Sequence, residues 1–277
     1  MTETVICFDK PTGVSSHDVV SQVRRAKGRA VKVGHAGTLD PFATGLLLVL
    51  TGRATRTQRL FMALEKTYEV TARFGAVSST GDRDGDLTET GVVPSGDLLL
   101  PTGIIRQRPP IFSALKVGGV RAYNLARAGV EFELEEREIE VHEFTELERS
   151  GDVRSFRIRC GSGTYVRSLI ADLGDAYCVE LRRTAIGPFS IGDEAIPAEI
   201  SLAEALSRFL PTVSLTRPQA IDLGHGKLVD VAMPERSTSA NGLAVALDGE
   251  LAVGVVARAD GGGIRSVIGF PADYPAE

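Results

Sequence analysis

Residues 32–50, KVGHAGTLDPFATGLLLVL, begin with a lysine and pass two glycines and one carboxylate, Asp40, before a run that is apolar apart from Thr44 and Gly45. The glycines and Thr38 allow a tight backbone path. The Asp–Pro step biases Asp40 toward extended geometry at the end of a loop. A carboxylate at the lip of an apolar wall serves as a nucleophile, a base or a turn cap, and spacing alone favours the cap.

Working outward from this stretch, short elements alternate without the regular βαβ rhythm of a doubly wound fold. VICFD reads as a strand, and KPTG after it is turn chemistry. Ser15 or Ser16 caps a predicted helix whose Val19, Val20, Val23 and Ala26 share one face and which Gly28 ends. GRATRTQRLFMAL suits a short helix with three arginines. KTYEVTARFG alternates as a half-buried strand with Tyr68, Val70, Ala72 and Phe74 on one side. SSTGDRDGDLTETG reads as a solvated polar turn with room for one aspartate in an ordered hydrogen bond; its aspartates lack the EF-hand spacing of glycine and glutamate. Residues 109–130 predict an extended piece, a Gly-Gly hairpin turn and a helix from about Ala122. SFRIRC alternates again, and TYVRSLIADLGDAY predicts a helix with Val166, Leu169, Ile170 and Leu173 inward. Beyond a boundary near Leu210, LAVALD, LAVGVVAR and IRSVIGF predict a small β domain, with LGHGK as a turn.

At 277 residues and 43% hydrophobic, the chain is long enough for a sizeable core. Its three cysteines, Cys7, Cys160 and Cys178, are odd in number and far apart, which points to a reduced, cytoplasmic setting rather than a disulfide framework or a thiolate zinc site. Neither a signal peptide nor a membrane span is expected. Net charge is −5, but the charge is segregated. Val19 to Leu64 carries eight Lys or Arg residues and one acid, Asp40, and Leu98 to Val130 carries five basic residues and none. Glu131 to Glu148 holds nine glutamates against one arginine, Arg137. Any single run reads as a solvated face, whereas two long basic stretches together suit an anionic partner.

GHAGTLDPFATGLLLVLTGRATR resembles the signature of the pseudouridine synthases, and specifically the bacterial TruB family that modifies uridine 55 in the TΨC loop of tRNA. The resemblance continues through DKPTGVSSHDVV, EKTYEV, STGDRDGD, RPPIFSALKVGGVRAYNLARAG, GSGTYVRSLIADLG and LRRTAIGPF, in order over about residues 6–190. It implies an α+β fold: a mixed, largely antiparallel central sheet with flanking helices over residues 1–210, an RNA-gripping insertion near 104–130, and a small PUA-like RNA-binding domain over 211–277. It also implies a cofactor-free, metal-free isomerisation of a flipped-out uridine, with Asp40 as the central carboxylate, Tyr68 against the base and Arg167 paired with Asp40. Tyr165 and Leu181 would line the nucleotide pocket, and His35 would sit near the space the nucleotide vacates. The implied partner is the T-arm of tRNA, met by a monomer in the cytoplasm without a membrane or an obligatory protein partner. The tail, with eight acids against five basic residues, departs from the basic character such a domain would need.

Two rival readings remain on sequence grounds: a non-catalytic tRNA-binding or folding factor, and a related synthase directed by guide RNA. All three share an RNA partner. Because phosphate contacts release counterions, RNA affinity should fall steeply as salt rises, by about 10³-fold or more between 50 and 200 mM if six or more contacts form. A filter-binding titration with a flat salt response would contradict the charge reading.

Overall fold

The computed structural model describes residues 3–113, 115–192, 198–234 and 242–270. The run Leu46–Leu50 lies in strand β3, Thr44–Thr51, and its five side chains are at most 1% exposed. Its unbroken apolar character follows from its surroundings, because both faces of the strand are covered. Leu46, Leu48 and Leu50 enter one cluster with Val5, Phe61, Phe189 and Ile200, while Leu47 and Val49 enter another with Val19, Val20, Val23 and Val33. Strand β1, Thr4–Lys10, runs antiparallel to β3 and pairs Val5 with Leu50 and Lys10 with Gly45.

The remaining strands of this sheet are β2 (Val33–His35), β4 (Lys66–Phe74), β5 (Gly103–Gln107), β6 (Arg137–Ser150), β7 (Val153–Cys160), β8 (Ala176–Ile186), β9 (Phe189–Ser190) and β10 (Glu199–Ser201). Their order is β10-β1-β3-β8-β4-β7-β6-β5, with β2 beside β3 and β9 beside β8. Among the described residues of this sheet, only β8 and β3 pair in parallel, through Arg182–Thr44 and Arg183–Gly45. A mixed, largely antiparallel sheet with few helices results, as expected from the sequence. The glutamate-rich segment is an alternating strand in which Ile139, Val141 and Phe144 face the core and Glu138, Glu140 and Glu148 face solvent.

Helix α1, Ser16–Lys27, starts where its chemistry directs: Ser15 and Asp18 form a reciprocal capping box, and Gly28 closes the other end at positive φ. Val19, Val20 and Val23 are buried, but Ala26 is exposed, one turn past the edge of the core. The arginine-rich segment is not one helix; a 3₁₀ turn, Gly52–Thr57, precedes α2, Gln58–Ala63. The hairpin Lys116–Val117/Val120–Arg121 and α3, Ala122–Arg127, fall at the predicted places. Helix α4, Val166–Ala171, is shorter than predicted, because Gly174 turns the chain and Ala176 and Tyr177 pair with β4 instead.

After α5, Leu202–Ser207, a second sheet of β11 (Thr212–Ser214), β12 (Leu243–Asp248), β13 (Leu251–Arg258) and β14 (Ile264–Gly269) forms in that order. The predicted strands are present, but PQAIDLGHGKLV also contains a helix, α6, Arg217–Gly224. Pro218 in the first turn and the Thr216–Gln219 capping box start it, and buried Ala220 and Leu223 dock it on the sheet. Val245, Val255 and Phe270 join Leu206 and Leu210 in the core shared with the large sheet. Among the described residues no helix is long and apolar enough to cross a membrane.

The parallel contact between β3 and β8 requires Gly45. It adopts φ +106°, and a Cβ there would penetrate the carbonyl oxygen of Arg183. Gly45→Ala should therefore cost about 2–4 kcal/mol, readable as a lowered midpoint in urea unfolding. An unchanged midpoint would contradict this packing.

Candidate active site

The loop carrying Asp40 leaves β2 and enters β3, and it is fastened from beneath by the KPTGVSS segment. The Ser16 hydroxyl accepts from the Leu39 amide at 2.9 Å and donates to the Leu39 carbonyl at 3.1 Å. The Thr12 hydroxyl donates to the Phe42 carbonyl at 2.9 Å, and the Gly13 amide donates to the Pro41 carbonyl at 2.8 Å. Lys10 is fully buried and donates to the carbonyls of Pro11, Val14 and Pro41; burial pushes its ammonium down to about 8, with Asp40 opposing. The backbone is thus fastened at Leu39, Pro41 and Phe42, on both sides of Asp40, whose carboxylate is half-buried. It is not a turn cap.

Arg167, on α4, is 4% exposed, and its guanidinium reaches three other segments of the chain. Its Nε lies 2.8 Å from Asp40 Oδ2 and its Nη1 lies 3.3 Å from Asp82 Oδ2. Nη1 also donates to the Thr80 carbonyl, and Nη2 donates to the Phe112 carbonyl at 2.9 Å. Burial is the main influence that lifts the Asp40 carboxyl above the ordinary carboxylate range; Arg167 pulls it back, and Asp82 adds to the rise.

Asp82 is the one aspartate in ordered hydrogen bonds for which the sequence left room, but its burial corrects the expectation of a solvated turn. The segment is a hairpin, Ala76–Ser78 with Leu87–Glu89, whose tip folds back onto β8 through the Cys178 amide and Gly81 carbonyl. There Asp82 is buried, accepting from the Thr80 hydroxyl at 2.7 Å and the Asp84 amide at 3.1 Å. The turn residues hid it, since aspartate in such company normally caps a turn in water.

Asp40, Tyr68, Tyr165, Arg167 and Leu181 line one cavity of about 350 Å³, together with Lys66, Arg137 and Arg183. Tyr68 lies on β4 between Ile158 of β7 and Arg183 of β8. Burial raises its phenol above the ordinary value, and the nearby charge of Arg183 opposes that rise. Tyr165 precedes α4 and is fixed through its backbone by Gln107 on β5: the amide donates to Oε1 at 2.9 Å and Nε2 donates to the carbonyl at 3.0 Å. Gln107 is 1% exposed and was invisible to motif reasoning. The guanidinium of Arg137 lies 5.0 Å from the Tyr165 ring centroid and hydrogen-bonds the Gly163 carbonyl. His35 is not among the cavity's lining residues; its Nδ1 is buried with no hydrogen-bond partner among the described residues, and burial lowers its basicity.

Of the basic stretch around Asp40, four residues are engaged within the protein. Arg24 donates to the Val33 carbonyl, Lys27 pairs with Glu199, Arg53 pairs with Glu3, and Arg56 donates to the Gly269 carbonyl on the second sheet.

This fold is that of the pseudouridine synthases. It superimposes on a chain of the Cbf5-Nop10-Gar1 complex with TM-score 0.65 and 25% identity, covering 93% of this chain and 78% of that one. It also resembles a chain of an H/ACA RNP bound to a substrate RNA containing 2′-deoxyuridine, with TM-score 0.67 and 23% identity over 98% of this chain and 87% of that chain. Within the class, residues 24–166 match the TruB family pseudouridylate synthase N-terminal domain. The chain is 42% identical over 255 residues to tRNA pseudouridine synthase B of Thermobifida fusca, covering 82% of this chain and 86% of the relative. The identity is 38% over 295 residues with the protein of the same name from Leifsonia xyli subsp. xyli, covering 97% of each. The chain belongs to the TruB family and is an enzyme, a pseudouridine synthase.

Arg167→Lys keeps the charge but cannot reach Asp40, Asp82 and the Phe112 carbonyl at once. Losing one such charge-assisted contact is worth about 2–3 kcal/mol, so single-turnover pseudouridylation should fall by roughly 10²-fold. Wild-type turnover in this variant would contradict the geometry.

Proposed function

We propose that this enzyme isomerises uridine 55 in the TΨC loop of tRNA, with the Asp40 carboxylate acting on a nucleotide flipped into the cavity. The observation that carries this reading is the Asp40–Arg167 pair at 2.8 Å on the wall of a cavity of about 350 Å³. That volume lies within the range of pockets that hold a small ligand. The relatives' name, tRNA pseudouridine synthase B, supports tRNA as the substrate.

The reaction breaks the bond from N1 to C1′, turns the base and forms a bond from C5 to C1′. An ionised carboxylate facing the sugar is the group this needs, and Arg167 favours that form where burial opposes it. Tyr68 lies against the base and takes the C5 proton. Tyr165 and Leu181 hold the base from either side, with Tyr165 stiffened by Arg137 and Gln107. His35, with its unpartnered Nδ1, meets the RNA where the nucleotide has left the stack.

Residues 104–130 form the insertion that grips the T-arm, and the Phe112 carbonyl ties this segment to Arg167. Residues 211–277 form a PUA-like unit that adds RNA surface. The enzyme acts in the cytoplasm as a monomer, without a guide RNA or protein partner.

Purified protein incubated with a bare tRNA transcript should place pseudouridine at position 55, and Asp40→Asn should lose at least about 10³-fold in rate while still binding tRNA. A bare transcript left unmodified by the wild type would favour the guide-directed reading. Refolding of tRNA without any modification would favour the non-catalytic one.

A further inference from the structure

Arg183 is 1% exposed, and among the described residues it makes no ion pair with a carboxylate. Its Nε donates to the Leu46 carbonyl at 2.7 Å and its Nη2 to the Gly37 carbonyl at 3.0 Å, with Nη1 3.5 Å from the Thr38 carbonyl. These carbonyls lie on either side of Asp40 in sequence, in the loop before it and in β3 after it. Tyr68 is the cross-strand neighbour of Arg183, and the two side chains line the same cavity. Carbonyl dipoles satisfy the donors but do not neutralise the charge. A buried cation held only by dipoles is costly, and a neutral donor would bridge the same carbonyls at lower desolvation cost. The positive charge gains its use when a neighbouring group turns negative.

We infer that Arg183 is a positioning residue of the isomerisation, its charge anchored on the Asp40 loop beside Tyr68 so that it stabilises a phenolate formed on Tyr68 during turnover. The inference rests on the reading that this cavity isomerises uridine. When the bond from N1 to C1′ breaks, its electron pair stays on N1, and the Tyr68 hydroxyl delivers its proton there, leaving phenolate beside Arg183. The base turns, C5 bonds to C1′, and the C5 proton passes to the phenolate. The C5–H electron pair returns to the ring and the phenol is restored, so no proton is gained or lost overall.

The surroundings of Tyr68 agree with this assignment. Arg183 is the leading influence that favours the ionised phenol, whereas burial, Cys160 on β7 and Asp40 all oppose it. Lys66, two residues back on β4, is itself pushed down to about 8 by burial and by Arg183.

The test compares single-turnover rates of wild type, Arg183→Lys and Arg183→Gln on tRNA, beside the ionisation of Tyr68 followed by carbon-13 NMR of its Cζ. Loss of phenolate stabilisation should slow the Gln variant by about 10²-fold and the Lys variant less. The Gln variant should also keep the Tyr68 phenol un-ionised to higher pH than wild type, with tRNA binding unchanged. Slowing with Tyr68 ionising as in wild type would overturn the inference, because displacement of the Asp40 loop alone does not remove a charge that favours the phenolate. Wild-type rates in both variants would overturn it too. Failure of both variants to fold, read by circular dichroism, would count against it by making Arg183 purely structural. A wild-type protein that leaves the transcript unmodified would overturn the underlying reading of the cavity instead.

Discussion

The guanidinium of Arg167 must be buried beside a carboxylate that must also be half-buried, and much of the chain is arranged around that requirement. A single ion pair at this depth would recover only part of the desolvation of two charges. The protein closes the gap by using Nε, Nη1 and Nη2 together, drawing acceptors from the Asp40 loop, the hairpin tip at Thr80 and Asp82, and the Phe112 carbonyl. One side chain therefore joins the start of the large sheet, an excursion from β4 and the segment leading to α3. Removing any acceptor leaves charge uncompensated in a place water does not reach.

The sheet supplies the rigid backing for that pair. Strand β3 is buried on both faces, so the loop before it cannot shift without disturbing two cores. The geometry of its entry depends on side-chain donors: Ser16, Thr12 and Lys10 from one side, Arg183 from the other. On the proposed reading, Asp40 is also the lone acid in a basic stretch, so that phosphate approaches without meeting other carboxylates nearby. Several of those basic residues nevertheless serve the protein itself, with Arg56 reaching the second sheet.

KTYEVTARFG and SFRIRC were readable as strands because their alternation is clean, whereas β5, β6 and β8 were not read as strands; Tyr68 and Arg167 stood in motifs that named their chemistry. Asp82, Gln107 and Arg183 were not readable. Asp82 lies among turn residues, and its burial depends on the hairpin tip folding onto β8. Arg183 adjoins Arg182 in LRRTAI, and composition cannot tell the two apart. Strand pleating sends one outward to pair with Asp9 at 2.7 Å and the other inward to the cavity. Helix α4 ended early for a related reason, since sheet pairing by Ala176 and Tyr177 outweighed a continuing helical pattern. Such outcomes are decided by partners distant in sequence.

The account turns on Arg167 opposing the burial of Asp40, and a carbon-13 NMR titration of the Asp40 carboxyl measures that balance directly. The account predicts titration above the ordinary carboxylate range in the wild type, and higher still in Arg167→Met, so that the ionised form is lost at progressively higher pH as pH falls. An Asp40 carboxyl that titrates at its ordinary value and does not respond to Arg167→Met would contradict it.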